Sequence, residues 1–241
     1  MAKNKENKTQ ELEETKQEHS VPSESRIKLD ADYFILLYQR YRNVILIVMS
    51  VIAVGILAIA GYKYMRDASN QEAQSEMFMP VYFWEQDSLD RVLKGGKGSR
   101  AMPEIAEEYS NTKAGKLAYF YTGVAYLKKG KYQEAIDNLE NFNTSDKLLQ
   151  ARSYSLIGDA YMELKDIENA IKYYEKATRH YPNEYFTPRY FMKLGLAYEL
   201  NKDLESALKA YATVADKYPN CSEATDAKKN KAKVEGLLNQ Q

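Results

Sequence analysis

The chain has 241 residues with 34 basic and 34 acidic side chains, a balance that excludes the broad basic surface nucleic-acid binding requires. Proline and glycine number only 6 and 11, which favours helices over a turn-rich β fold. Cys221 is the single cysteine, so no internal disulfide forms and thiol content does not choose a compartment.

Residues 1–29 are expected to form a disordered polar tail, because Lys, Glu, Gln, Asn and Ser dominate and too little apolar surface is available to offset the entropy of ordering. Its charges balance, so it is not a polybasic lipid-binding arm. A helix is expected over 30–66. Asp30 or Asp32 supplies an N-cap, and Tyr33, Phe34, Leu36, Leu37 and Tyr41 lead either along an interface or toward another membrane protein. Residues 44–62 (VILIVMSVIAVGILAIAGY) then carry no charge. At about 1.5 Å per residue they extend roughly 28 Å, the thickness of a bilayer's hydrocarbon. Only Ser50 and Gly55 interrupt the apolar surface, so no polar face is available for a soluble core helix. Tyr41, Tyr62 and Tyr64 sit at the ends, and Arg40, Arg42, Lys63 and Arg66 flank the span.

The residues before the span include Arg26, Lys28, Arg40 and Arg42, against Lys63 and Arg66 after it. This excess places the N-terminus in the cytoplasm and the C-terminal domain on the periplasmic side of an inner membrane. Ala58-Ile59-Ala60 before Gly61 resembles a signal-peptidase site. The polar stretch ahead of the apolar run is far longer than a signal peptide's, however, so an uncleaved anchor is expected.

Residues 69–115 read as a degenerate first helix pair. One helix is expected over 69–94 with Pro80 as a kink, and a shorter one over 103–110 beyond Gly95-Gly96-Lys97-Gly98. That glycine-rich loop lacks GxxxxGK[ST] and follows no strand, which argues against a phosphate loop.

Three repeats follow. Gly123, Gly158 and Gly195 recur at intervals of 35 and 37 residues. Four residues before each stands Tyr119, Tyr154 or Phe191, and three after each stands Tyr126, Tyr161 or Tyr198. Ala135, Ala170 and Ala207 come at a fixed later offset, then Leu139, Tyr174 and Tyr211, and Pro182 and Pro219 end the last two units. Small residues recur where two helices must approach closely, and aromatics fill the space around the crossing. Short polar links at Lys129-Gly130-Lys131, Lys165-Asp166 and Asn201-Lys202-Asp203 join antiparallel helices. One such pair cannot bury its apolar face alone, so neighbours must stack.

This pattern resembles the tetratricopeptide-repeat (TPR) family. It implies an all-α fold, in which a single N-terminal transmembrane helix precedes an α-solenoid of repeats 116–149, 151–184 and 188–221, closed by a capping helix over 225–241. Thr122 stands where a large apolar residue is usual, Phe142 and Val214 where a small one is, and Lys147 where proline is. In the family the first helix of each pair lines a binding groove. Carried over by position, the groove residues are Leu117, Phe120, Val124 and Leu127 in repeat one. Repeat two gives Arg152, Ser155, Asp159 and Met162, and repeat three gives Arg189, Met192, Leu196 and Glu199. This set lacks the lysines and asparagines that clamp a chaperone's terminal carboxylate. Its apolar end is either an open peptide groove or the packing site of the 69–94 helix.

The layout of tail, span and TPR domain, with Glu108-Tyr109-Ser110-Asn111-Thr112-Lys113-Ala114-Gly115 ahead of the first repeat, resembles the YfgM-type ancillary subunits of the bacterial Sec translocon. That resemblance implies protein partners: translocon subunits, chaperones or exported polypeptides. Tyr181-Pro182-Asn183 and Tyr218-Pro219-Asn220-Cys221-Ser222 are also similar to the repeat ends of Tol-associated coordinators and outer-membrane assembly lipoproteins, which implies a cell-envelope coordinator or scaffold instead. No catalytic constellation is present. His19 and His180 have no partner at metal-ligand spacing, and neither a cofactor, a small-molecule substrate nor an enzymatic role is expected.

Overall fold

The computed structural model describes residues 23–240, with side chains from Tyr33 onward, so the expected tail up to position 22 lies outside the described residues. Among the described residues there are ten helices: α1 (Ser23–Glu85), α2 (Leu89–Lys94), α3 (Met102–Glu108), α4 (Lys113–Lys128), α5 (Tyr132–Asn141), α6 (Lys147–Glu163), α7 (Ile167–His180), α8 (Thr187–Leu200), α9 (Leu204–Lys217) and α10 (Ala224–Leu238). The chain divides into two compact units, one up to Lys63 and one from Tyr64.

In the first unit every described side chain from Tyr33 to Lys63 is exposed, and among the described residues α1 is the one helix long and apolar enough to cross a membrane. Ser50, the polar residue in that stretch, donates to Leu46 O at 2.7 Å, which satisfies its hydroxyl within the helix. The helix begins at Ser23, so residues 23–29 are helical where tail was expected. Pro22 precedes it in the sequence, and neither glycine nor proline follows before Gly55.

The expected helix over 69–94 is corrected in the second unit. Pro80 lies buried inside α1, which ends at Glu85, and Leu89–Lys94 is a separate helix. Asp87 makes the break by adopting a left-handed conformation at φ 53°, which aspartate tolerates better than most residues. The glycine loop closes as a tight turn, with Gly96 and Ser99 exchanging backbone hydrogen bonds of 3.1 and 3.0 Å.

From Lys113 onward each helix packs on its successor in chain order, as paired antiparallel helices require. The first helix of each pair ends alike. Lys131, Asp166 and Asp203 donate their N–H to the carbonyls of Tyr126, Tyr161 and Tyr198 at 2.9, 2.9 and 3.0 Å. Gly130, Lys165 and Lys202 occupy the left-handed position at φ 72°, 63° and 63°. The expected crossings are present. A Cβ built on Gly123 would stand 2.6 Å from Leu139 Cγ, one on Gly158 2.6 Å from Tyr174 Cε1, and one on Gly195 2.5 Å from Tyr211 Cε1. A side chain at any of these glycines would collide with the opposing leucine or tyrosine, so that residue or its helix would have to shift. α10 covers the last unit with Ala227 and Val234, both fully buried against residues of α9.

Candidate polypeptide-binding face

The first helices of the three repeats, α4, α6 and α8, carry the candidate face. In α4, Phe120 is buried and packs on Phe142 with ring centroids 5.1 Å apart. Leu117, Val124 and Leu127 are half-buried against the same cluster, which includes Ile136, Leu139 and Ile157. Much of the apolar end is therefore core. In α6, Arg152 is exposed, Ser155 buried, and Asp159 and Met162 half-buried. In α8, Arg189 and Leu196 are exposed while Met192 and Glu199 are half-buried. Leu196 leaves 49% of its surface in solvent, and Leu200 one turn on leaves 55%, so this end of the face presents uncovered apolar side chains.

The acids of this face are held from within. Asp159 accepts the Tyr174 hydroxyl at 2.8 Å and both its oxygens meet Lys193 Nζ, at 2.8 and 2.7 Å. Lys193 also approaches Ser155 Oγ at 3.4 Å. Glu199 repeats the arrangement, accepting Tyr211 OH at 2.7 Å and Lys233 Nζ at 2.5 Å. In both cases the tyrosine comes from the partner helix of the same repeat and the lysine from the next unit. Burial first, and then the adjacent carboxylate, pushes the Tyr174 and Tyr211 phenols well above their ordinary range. Tyr198 donates to Glu175 at 2.7 Å and is pushed up to about 12, chiefly by burial and then by that bond. Glu140 accepts the Tyr173 hydroxyl across the first repeat junction.

The α1 segment beyond Ser69 does pack on α4, with Ala73, Met77 and Phe83 against Ala114, Ala118 and Ala125. Beside that contact an open cleft of about 520 Å³ persists, walled by Met77, Phe78, Val81, Tyr82, Ala114 and Leu117. Phe78 is 71% exposed. Positional transfer from the repeats could not reach Phe78 and Tyr82, since they lie outside the repeats. Their i, i+4 aromatic spacing was the available signal.

The segment Glu108–Gly115 has a structural explanation. Thr112 caps α4 by accepting the Gly115 N–H at 2.9 Å and donates its own hydroxyl to Tyr109 O at 2.8 Å. A Cβ on Gly115 would lie 2.0 Å from Tyr109 O. Glu108 pairs with Arg100 at 2.6 Å, and Tyr109 is buried. The motif therefore builds the α3–α4 turn. His180 is likewise a packing residue, edge-on to Tyr154 at 5.5 Å.

Residues 117–145 and 155–220 match family models described as tetratricopeptide repeat. A curated relative, "Uncharacterized protein ycf37" of Guillardia theta, is 36% identical over 83 residues. The match takes in 33% of this chain, which spans about half, 47%, of that relative. Among solved structures the chain is similar to MamA protein, with TM-score 0.52 and 17% identity over 69% of this chain and 88% of that one. It is also similar to Podosopora anserina nearly identical TPR-like repeats, with TM-score 0.54 and 14% identity over 71% of this chain and 89% of that one. These likenesses define an all-α TPR solenoid, the class of scaffold that binds other proteins. The chain carries tetratricopeptide repeats, and one long apolar helix precedes them.

Proposed function

We propose that the protein is a membrane-tethered TPR adaptor in which residues 44–62 anchor the chain and the repeat domain receives polypeptide segments close to the membrane surface. The carrying observation is the coincidence, on one chain, of a fully exposed apolar stretch, a repeat face that leaves Leu196 and Leu200 uncovered, and the open Phe78–Tyr82 cleft beside α4. Apolar clefts with few charges suit extended or helical apolar segments. The charge bias around the span supports a cytoplasmic N-terminus and a periplasmic repeat domain. With the layout it shares with YfgM-type proteins, it makes the Sec translocon, the chaperones near it and the polypeptides leaving it the expected partners.

Photo-crosslinking from membranes tests this. With a benzoylphenylalanine at Phe78 or Leu196, and an exposed control at Glu168, translocon subunits and nascent exported chains should be trapped from the first two sites alone. Adducts restricted to Tol or peptidoglycan-linked proteins would overturn the translocon assignment and favour the envelope-coordinator role.

A further inference from the structure

A second cleft, of about 430 Å³, lies between the start of α4 and the α5–α6 connection. Three cations line it, Arg66, Lys113 and Lys116, with Leu117 and Phe142 as apolar neighbours. The one acid in the lining, Asp146, accepts the N–H groups of Leu148 and Leu149 at 3.0 and 3.1 Å and is committed to capping α6. Among the described residues none of the three cations forms an ion pair, although the chain forms twelve such contacts elsewhere. Like charges gathered in one recess raise a positive potential that attracts an anion.

The place of the cluster selects the anion. Arg66 is four residues past Tyr62, about 6 Å of helix, so with 44–62 in hydrocarbon it stands in the headgroup layer. Lys113 and Lys116 share the cleft lining with Arg66, and Ala114 N–H donates to Asn70 Oδ1 at 2.9 Å, one helical turn past Arg66 in sequence. We propose that Arg66, Lys113 and Lys116 bind the phosphate of an anionic phospholipid headgroup and so seat the repeat domain on the bilayer. This rests on the membrane anchoring proposed above. A polybasic juxtamembrane surface has this affinity for anionic lipid, and it weakens with salt.

The full-length chain reconstituted in vesicles tests it. One set contains phosphatidylcholine alone and the other roughly 30 mol% phosphatidylglycerol. Amine acetylation read by mass spectrometry should label Lys113 and Lys116 several-fold more slowly in the anionic vesicles, with exposed Lys172 unchanged. Arg66→Glu or added salt should remove the difference. Equal labelling of Lys113 and Lys116 in the two lipids overturns the site. So does protection in neutral vesicles by inorganic phosphate or an acidic peptide without any effect of phosphatidylglycerol. Carbonate extraction separates the two ideas: release from both vesicle types sinks the anchor itself, whereas retention with equal labelling sinks only the headgroup site.

Discussion

At the helix crossing of the first repeat Leu139 lies on Gly123, whereas Tyr174 and Tyr211 lie on Gly158 and Gly195 in the second and third. The leucine needs no polar partner and finds Val124 and Leu127 on the facing helix. Each tyrosine brings a hydroxyl into a confined space, and Asp159 or Glu199 accepts it and is held in turn by Lys193 or Lys233. The turns divide the same way. Repeat one uses Gly130 at the left-handed position and Lys131 makes no side-chain cap. Repeats two and three force Lys165 and Lys202 into that position but follow them with Asp166 and Asp203, which cap α7 and α9 by accepting N–H bonds of 3.1 and 3.0 Å. Lys128 and Lys129 of repeat one instead reach Asp87 and Asp90 at 2.8 Å each, and Lys128 covers Trp84 at 5.0 Å. One hairpin geometry thus has two chemical solutions, one with an apolar crossing and a glycine turn, the other with a polar crossing and an aspartate-capped turn.

Substitutions can break this contrast. The largest effect is expected at the crossing. Gly158→Leu drives a side chain into the Tyr174 ring, and urea unfolding in detergent should register a loss of about 3 kcal/mol or more. Next, Asp159→Val installs at this place the residue repeat one carries there. It leaves the Tyr174 hydroxyl and Lys193 without their partner, at a cost of about 2 kcal/mol after allowing for the partial exposure of the ion pair, read as a lower Tm.

Alkali should act on the same tyrosines. Their folded pKa values lie above the unfolded value near 10, so the stabilisation is complete below about pH 10 and fades as pH rises through the folded values. A pH series of melting curves should fall between about pH 10 and 12. Tyr174→Phe combined with Tyr211→Phe should flatten that fall, while Leu139, having no ionisable group, predicts no contribution from the first crossing.

Smaller changes should stabilise repeat one. Thr122, fully buried where Ile157 and Leu194 stand in the other repeats, has a hydroxyl without a hydrogen-bond partner. Thr122→Val should raise stability by about 1 kcal/mol. Lys131→Asp supplies the missing cap, with a gain of about 0.5–1 kcal/mol. Lys165→Gly relieves the left-handed lysine but loosens the unfolded chain, so its net gain should be the least of all, a few tenths of a kcal/mol by the same unfolding assay.

These contrasts also show what could be read from the letters of the chain. The glycines and their opposing residues were legible because close packing demands small side chains at one recurring place. The two clasps were not, because Lys193 and Asp159 become neighbours only when consecutive units stack, and no local rule links residues 34 apart. The course of α1 was misjudged for a different reason. Neither the charged stretch near Arg66 nor Pro80 interrupts it, and the end at Glu85 depends on Asp87 being the one of several nearby polar residues to take the left-handed conformation. Of the twelve groove positions, Phe120 and Ser155 are buried in the interior, because positional transfer from a repeat says which helix a residue is on but not how much of it the next helix covers.

Each clasp runs in a single direction, the carboxylate always waiting for an ammonium from the unit that follows. The array therefore has a polarity. A truncation that removed α10 would strand Glu199, and one that removed α8 would strand Asp159, whereas no clasp in the array depends on a group supplied from upstream of α4. α10 gives Lys233 to the last clasp and takes the part that α8 plays for the clasp before it.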